Sequence, residues 1–553
     1  MPDSNRSFSS RHFPYRKHDR NIAADAATAG LESSDAPQVP ALVPRTVYRF
    51  VLGQDLRPIA MNANDIGVWL RDPFGKFVIS QGRFPLTLRK LLEQFDKAES
   101  RLDEQQNFVV ADGGQILWNA ETEFVERSMR FAITRFNAQG DSVLISTAVP
   151  FDSESQFLQL LAWDASNEVF NYYERRNGTW IWAGNSYHAL REPTRGKGPF
   201  DSHVNGSLVM KELKFPWMHW HSMASIISDD VLAPSDLLRT DPIWRSKLGA
   251  DDFEIAVVRP GIRKWTEART KKFVRDHSSE NASNAREILR HLFETTTVNL
   301  IASGEQSRSI TDQSSVKLPI TFFLNSDVLF DLLELEPEIV VPSVAGEFYR
   351  ESLRTFEFKL QTNNFEQPGD THFAFIVPEA AFEDNLVVAE LLKQSVVSAR
   401  FVACVLMVDF ANPISSSSRE LLLKYIPDRM AIRDGVLDLE AQFIANVEAA
   451  ISETDESDPA SPEQQFLSHW NLGDAWKQAF ESRVEAYFQA IQQRLGTQHG
   501  YDDYIRLAES RRREFRRRPL SEFDLTLPVT NIPADAPLLQ MFEDGRVGIK
   551  QGT

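Results

Sequence analysis

The chain is poor in cysteine. Its 553 residues include a single cysteine, Cys404, which lies in the apolar run 401–410. One cysteine cannot form an internal disulfide, and it excludes both zinc sites built from several cysteines and a CxxC redox pair. We expect Cys404 to be a small apolar residue buried in a strand, and the alternative is a reactive nucleophile.

Long apolar segments are also lacking. No stretch approaches the ~18 consecutive apolar residues of a membrane-spanning helix, so no membrane span is expected. The first residues lack the apolar core of a secretory signal. Together these two observations predict a cytoplasmic location.

An excess of positive charge is lacking as well. The 60 lysine and arginine residues are outnumbered by 78 aspartate and glutamate residues, which gives a formal net charge of −18. An acidic chain repels phosphate backbones, so its overall charge disfavours nucleic-acid binding. The run 511–518, with six arginines, is a local exception. It predicts either a solvated helix end or a docking segment for an acidic protein partner.

Several catalytic signatures are missing. The sequence has no GxSxG motif of a serine hydrolase. It has no CxxCH motif, which excludes covalent haem attachment and makes haem a less favoured cofactor than a bound metal ion. The glycine-containing loop 194–200 matches neither the GxxxxGK[ST] nor the GxGxxG pattern of a nucleotide site.

The composition that is present is that of an ordinary globular protein. Apolar residues make up 42% and charged residues 25% of the chain, and its length predicts roughly two to four domains. Changes of pattern along the chain predict an α+β fold with a disordered leader at 1–44, a β-rich domain at 45–235, a helical connector at 236–310, a mixed α/β domain at 311–430, and a helical C-terminal region with an acidic linker at 431–553.

Two hairpins are the clearest feature of the β-rich domain. One has the turn sequence Asn-Ala-Gln-Gly at 137–140, and the other has the favoured Asn-Gly pair at 177–178. A helix is predicted at 86–102 from its leucine spacing. The predicted strands lie at 47–52, 76–80, 107–111, 129–136, 142–147, 170–174 and 179–183.

The mixed α/β domain is predicted from alternating apolar runs and helical stretches. The apolar runs 371–377 and 401–410 are predicted to be strands. Helices are predicted at 382–394 and from the serines near 417 to 425, with Ser417 and Glu420 as a capping box. Strand, helix and strand at this spacing predict a βαβ crossover and a parallel strand pair.

Four of the eleven histidines fall between positions 188 and 221. On a strand, His219 and His221 would share one face about 7 Å apart, because side chains alternate along a strand. With His203 from a preceding loop as third ligand, they predict a site for iron, copper or zinc. The alternatives are histidines packed among aromatic side chains, and a metal-free catalytic acid/base role for His203.

Other side chains near the histidines could complete a site. Glu212 is the predicted catalytic acid or base, because apolar neighbours on its strand face would raise the pKa of its carboxyl group; a solvent-exposed strand end is the alternative. Arg195 and Lys197 are predicted to hold an anionic substrate, unless they only belong to a tight basic loop. Trp180 and Trp182 share a strand face and predict either an aromatic wall for a substrate or part of the β core.

Three classes of function follow from these patterns. The histidine cluster favours a metal-dependent enzyme, such as an oxidoreductase, acting on a small anionic or aromatic substrate. The aromatic residues and Glu212 favour a metal-free ligand-binding protein or hydrolase. The leader, the acidic linker and the arginine run favour a non-catalytic scaffold or accessory protein. If the protein is an enzyme, we expect the pocket around His219 and His221 to carry the chemistry.

Overall fold

A computed structural model describes residues 42–97, 99, 101–112, 117–124, 128–201, 203–208, 226–277, 285–296, 298–301, 310–362, 365–368, 377–380, 382–427, 432–433, 436–453, 458–516 and 530–550. They form two compact units, one with the described residues up to Trp265 and the other with nearly all those from Thr266 on. The first unit is built on a sheet and the second mainly on helices, which confirms the predicted α+β class. No helix in these ranges combines the length and the apolar character needed to cross a membrane.

The first unit is organised around an antiparallel meander. Its described strands are β1 (Tyr48–Arg49), β2 (Ile59–Ala60), β3 (Glu104–Asp112), β4 (Ser128–Phe136), β5 (Ser142–Thr147), β6 (Leu158–Asp164), β7 (Val169–Arg176), β8 (Thr179–Asn185) and β9 (Lys247–Leu248). They form one sheet with the order β2-β1-β8-β7-β6-β5-β4-β3-β9. The strands β3 to β8 pair antiparallel with their chain neighbours, whereas β1 joins β8 and β9 joins β3 in parallel.

Both predicted hairpins are confirmed. The β4–β5 hairpin turns at 137–140, and the β7–β8 hairpin turns at Asn177 and Gly178. These two residues have φ angles of 45° and 77°, as a two-residue turn with left-handed backbone at both positions requires. The residues of these two turns therefore determine the pairing of β4 with β5 and of β7 with β8.

The helices of the first unit lie before and after the meander. They are α1 (Ala63–Trp69), α2 (Pro73–Phe77), α3 (Leu88–Phe95), α4 (Ser186–Leu190), α5 (Pro242–Arg245) and α6 (Ala250–Phe253). A π-helical turn (Glu254–Val258) then continues directly into α7 (Arg259–His277), whose last part belongs to the second unit. The helix predicted at 86–102 is confirmed as the shorter α3.

The strand predicted at 76–80 is wrong. This stretch contains the end of α2 and a 3-10 turn (Ile79–Gln81). Asp72 caps the helix by accepting a hydrogen bond from the backbone N–H of Gly75 at 3.0 Å, and Pro73 occupies the first helical position. Both are helix-start signals, and they outweigh the short apolar run that follows.

The second unit combines helices with small antiparallel ladders. Its helices after α7 are α8 (Ala285–Phe293), α9 (Gly346–Thr355), α10 (Phe382–Lys393), α11 (Ala399–Leu406), α12 (Ser417–Leu421), α13 (Leu439–Ser452), α14 (Pro462–Trp470), α15 (Trp476–Leu495) and α16 (Gln498–Arg516). The remaining strands are β10 (Val298–Ile301), β11 (Ser315–Lys317), β12 (Ser343–Ala345), β13 (Lys359–Thr362), β14 (Phe365–Pro368), β15 (Val377–Ala380), β16 (Ile432–Arg433), β17 (Val436–Leu437), β18 (Leu539–Met541) and β19 (Val547–Ile549). The pairs β10–β15, β11–β12, β16–β17 and β18–β19 are antiparallel.

The predicted βαβ crossover is wrong, although the helix predicted at 382–394 is confirmed as α10. The run 401–410 forms most of helix α11 and the turn after it, not a strand. Of the other predicted strand, 371–377, only Val377 lies in the described ranges, where it begins β15 and pairs antiparallel with β10. The helix from the serines is confirmed as α12, with Ser416 rather than Ser417 as its cap.

The position of α11 explains why its sequence pattern misled. Its ring contacts reach three other helices: Phe401 lies 6.4 Å from Phe293 of α8, 5.2 Å from Phe443 of α13 and 5.8 Å from Phe466 of α14, measured between ring centroids. A helix enclosed on all sides is apolar all round and loses the 3.6-residue period. Cys404 is buried, as expected, but on a helix.

Candidate functional site

Three of the predicted site residues have no described position. Glu212, His219 and His221 lie outside the described residues, so their convergence with His203 stays a prediction. In the ranges that the structure does describe, no group of three or more His, Cys, Asp or Glu side chains is arranged to hold a metal ion.

The ring of His203 is oriented by a hydrogen bond to the backbone. Its Nδ1 lies 2.7 Å from the carbonyl oxygen of Ser207. Because a carbonyl only accepts, Nδ1 carries a proton and donates it. The ring packs edge-on against Tyr172 at 5.2 Å. Many metal-binding histidines donate one ring N–H to a backbone carbonyl in this way.

The side chain of His188 helps to cap helix α4. The backbone N–H of Asn185 donates to its Nδ1 at 3.1 Å, and its ring packs edge-on against Trp182. Burial lowers the pKa of His188 to about 4, and the positive charges of Arg191 and Arg49 act in the same direction. The ring is therefore uncharged at neutral pH.

The two cations of the loop 194–200 donate hydrogen bonds to backbone carbonyls just before the loop. Arg195 donates to the carbonyl of Leu190, and Lys197 Nζ donates to the carbonyl of Pro193 at 2.9 Å. Arg195 is half-buried and Lys197 is exposed. Both side chains are thus held locally, and their role in holding an anion stays a prediction.

Trp180 and Trp182 are fully packed core residues. Trp180 Nε1 donates to the carbonyl of Pro85 at 2.9 Å, and Trp182 Nε1 donates to Asn171 Oδ1 at 2.9 Å. Their relative exposures are 0% and 1%, and Phe74 packs edge-on against Trp180. Both indole N–H groups are therefore hydrogen-bonded within the protein. The role of the two rings as a wall for a ligand stays a prediction.

A buried carboxyl group that the sequence pattern did not reveal lies beneath these tryptophans. Asp72 Oδ2 accepts from Tyr173 Oη at 2.5 Å and from Asn171 Nδ2 at 2.8 Å, while Oδ1 accepts from the backbone of Gly75. Burial raises the pKa of Asp72 to about 6, although these hydrogen bonds lower it. The network is sealed from solvent, so it can position the aromatic core but cannot reach a substrate.

The second unit contains a buried histidine–carboxylate pair. His291 Nδ1 lies 2.7 Å from Asp384 Oδ1, and Arg269 Nη2 lies 2.9 Å from His291 Nε2. Arginine only donates, so Nε2 accepts from it and Nδ1 donates to the carboxylate. The nitrogen that a substrate would need is engaged by Arg269, which makes this cluster a link between helices α7, α8 and α10.

The arginine run begins inside the core. Arg511 donates to the carbonyl of Phe322, Arg512 Nη2 pairs with Glu509 at 2.6 Å, and Arg513 donates to backbone carbonyls. All three arginines are buried. They hold the fold together, so a docking role stays a prediction for the later arginines of the run.

A pocket of about 240 Å³ lies against one face of the sheet in the first unit. Its floor includes Gln106, Thr134, Leu144 and Leu161, which are direct partners across β3, β4, β5 and β6. Direct partners in antiparallel strands place their side chains on the same face. The sheet therefore contributes a cross-strand row of side chains to one wall of the pocket.

The opposite wall comes from the π-helical turn and the start of α7, through Ala256, Val257, Pro260, Gly261 and Lys264. Single π-helical turns inside helices often occur at functional sites.

Gly261 sets how closely this wall approaches the rest of the pocket. A Cβ atom at this position would lie 2.1 Å from Leu208 Cδ1, which also lines the pocket. The absence of a side chain at Gly261 thus makes room for Leu208.

Lys264 supplies the pocket with a cation. Its Nζ donates to the carbonyl of Gly140 at 3.1 Å and lies 4.8 Å from the ring centroid of Trp163. The side chain is half-buried, and this burial lowers the pKa of Lys264, although the nearby charge of Asp141 raises it. A positive charge is held at an otherwise largely apolar cavity.

Thr134 supplies a buried hydroxyl group on the pocket floor. The residue is 4% exposed, and its Oγ1 has no hydrogen-bond partner among the described residues. Leaving a buried hydroxyl unpaired costs about 1–3 kcal/mol. Thr134 is one of the residues that line the pocket, so this unpaired hydroxyl is buried in the pocket floor.

Comparison with protein-family models, with curated proteins and with solved structures finds no match for this chain. No relative therefore assigns a role to the pocket, and its chemistry follows from its own residues.

Sequence reasoning missed this pocket. The signal that could have indicated it is Pro260-Gly261 directly followed by a helical pattern with a lysine one turn later. A glycine inside a helix often has a packing or functional reason.

Proposed function

We propose that the protein binds a small, largely apolar molecule in the pocket between strands β3–β7 and the segment 256–264. The observation that carries this proposal is the combination in one cavity of apolar walls and a few polar side chains, among them Thr134 and Lys264. Ligand sites are concave and mostly apolar, with a few placed polar groups. This is the metal-free ligand-binding class of function.

The volume of the pocket limits the size of the molecule. The volume of the cavity is about 240 Å³. An apolar cavity of ~150 Å³ is known to hold benzene. The ligand class is therefore one with a single ring or a chain of about six carbons and a small polar group.

Titration with six-carbon probes tests this proposal. Ligand-observed NMR with hexanol and hexanoate should give saturable binding to the full-length protein. Leu144→Trp, which adds bulk to the pocket floor, should weaken it at least about tenfold by filling the space. Ser146→Trp is the matched control, because Ser146 lies on the same strand face but does not line the pocket. The proposal would be contradicted if neither probe binds, or if Leu144→Trp and Ser146→Trp bind the probes equally well.

A metal-dependent enzyme, such as an oxidoreductase, is a second candidate. The observation that favours it is the Nδ1–H of His203, which donates to a backbone carbonyl as the ring N–H of many metal-binding histidines does. Elemental analysis for iron, copper and zinc, with an absorption spectrum, tests it. Stoichiometric metal that is lost in a folded His221→Ala variant would support this candidate. Metal-free protein, or full metal content in the variant, would oppose it.

We further propose a cytoplasmic location, which the single buried cysteine favours, because extracellular domains more often carry disulfides. Cell fractionation that finds the protein outside the reducing compartment would contradict this location.

A further inference from the structure

We propose that the pocket selects a monocarboxylate, and that the ammonium group of Lys264 binds the carboxylate while the apolar tail lies against the sheet. This inference rests on the proposed function, because it names the head group of the ligand for the same pocket. Its ligand class is a short-chain or single-ring carboxylic acid.

The first argument is the hydrogen-bonding capacity of Lys264. An ammonium group has three N–H donors. One donates to the carbonyl of Gly140 at 3.1 Å, and no second acceptor among the described residues lies within hydrogen-bond distance. The other donors can therefore serve a ligand oxygen without breaking an existing contact.

The second argument is that the position of the cation is fixed. The carbonyl of Gly140 holds Nζ from the hairpin turn, and the ring of Trp163 lies 4.8 Å away on β6. A cation over an aromatic face is attracted by the ring. Two elements thus hold the ammonium group at the pocket, so a ligand does not have to order a free side chain.

The third argument is electrostatic. Lys264 forms no ion pair with a carboxylate of the described residues, and its burial costs hydration free energy. The lowered pKa of Lys264 reflects the same burial. A bound carboxylate would supply a counter-charge in direct contact, closer than that of Asp141, in a setting where charge-assisted hydrogen bonds are strong.

The fourth argument limits the charge of the ligand. Asp141 also lines the pocket, and its negative charge acts on Lys264. A dianion such as a phosphate monoester would be repelled by Asp141 more strongly than a monoanion. One cation beside one carboxylate therefore suits a single negative charge on the ligand.

The test compares head groups on one tail. In isothermal titration or NMR titration near pH 7, the wild-type protein should bind hexanoate about 10- to 100-fold more tightly than hexanol, the range expected for a hydrogen bond to a charged group. Lys264→Met should remove this preference, so that hexanoate binds no more tightly than hexanol. Lys271→Met is the control, because Lys271 is an exposed lysine on the same helix and does not line the pocket.

The outcomes separate the two proposals. If hexanol and hexanoate bind equally to the wild type, the carboxylate inference is wrong and the pocket proposal stands. If neither binds, the pocket proposal itself is wrong. If Lys264→Met keeps the preference for hexanoate while circular dichroism shows native structure, Lys264 is not the group that recognises the carboxylate.

Discussion

Thr134 and Thr147 are buried threonines on neighbouring strands with opposite roles. Thr147 Oγ1 donates to the carbonyl of Phe157 at 2.8 Å, whereas Thr134 Oγ1 is buried without a partner among the described residues. The same side chain thus stabilises the fold at one site and costs stability at the other.

We predict that Thr134→Val stabilises the ligand-free protein by about 0.5–2 kcal/mol, because an unpaired buried hydroxyl is replaced by a methyl group of similar size. Urea unfolding measures the change. Thr147→Val is the control with the opposite expected sign, since it leaves a carbonyl unpaired. Destabilisation by both substitutions would show that Thr134 has a partner in solution.

Asp72 makes stability depend on pH. Burial raises the pKa of Asp72 from its ordinary value of 3.8 to about 6 in the folded protein, so the native state holds the proton more tightly than the unfolded state. The resulting stabilisation is fully present below the unfolded pKa of 3.8 and is lost as the pH rises through about 6. At its maximum it is about 3 kcal/mol.

We predict that Asp72→Asn removes this pH-dependent contribution to the free energy of unfolding. Between pH 4 and 7.5 the unfolding free energy of the wild type should fall by about 2.4 kcal/mol more than that of the variant. Urea titrations at the two pH values measure it, and Glu93→Gln, an exposed carboxyl on α3, should behave like the wild type. Parallel pH profiles for wild type and Asp72→Asn would rule out the raised pKa.

At the scale of elements, short-range signals predicted structure better than apolar runs did. The Asn177-Gly178 turn located its hairpin, because its backbone angles depend on those two residues alone. The runs 76–80 and 401–410 became helical because caps at Asp72 and Ser398 start helices there. An apolar run indicates burial, but it does not distinguish a buried strand from a helix enclosed on all sides.

The candidate pocket was harder to predict than the fold. Its floor joins Gln106, Thr134, Leu144 and Leu161, which are far apart in sequence and meet only through strand register. Lys264 comes from a helix more than a hundred residues after the floor begins. No local pattern connects these positions, whereas the histidines cluster visibly because they are close in sequence.

We predict that the thiol of Cys404 on α11 reacts only when the protein opens. Burial raises the pKa of Cys404 to about 12, so little thiolate exists at pH 8 and the sulfur is covered. Labelling by a disulfide reagent should be slow in buffer and rapid in denaturing urea. With one cysteine in the chain, no variant is needed. Rapid labelling of the native protein would mean that α11 is exposed in solution.

At the scale of the whole molecule, two compact units account for the described residues, while composition suggested five parts. The five parts were predicted from changes of residue composition along the chain. Compact units depend instead on contacts between residues that are far apart in sequence, which composition does not show. For the leader, the prediction of disorder rests on composition alone, since its residues offer little apolar surface to bury.

We predict that removing residues 1–41 leaves the thermal midpoint within about 2 °C of that of the full chain, a change worth less than about 1 kcal/mol. Differential scanning calorimetry of the two proteins measures this. A drop of several degrees would show that the leader packs on the rest of the protein.

The short outer strands of the nine-stranded sheet in the first unit have a consequence for self-association. Open sheet edges attract further strands from other molecules, and proteins limit this by keeping edge strands very short. Here the described edges are β2 and β9, with two residues each, while the long strands lie between them. At one edge β9 pairs with two residues of the long strand β3, Asn107 and Phe108, and at the other β2 pairs with β1, which pairs in turn with Ile181 and Trp182 of β8. Each edge strand therefore offers a neighbouring molecule few backbone groups of its own.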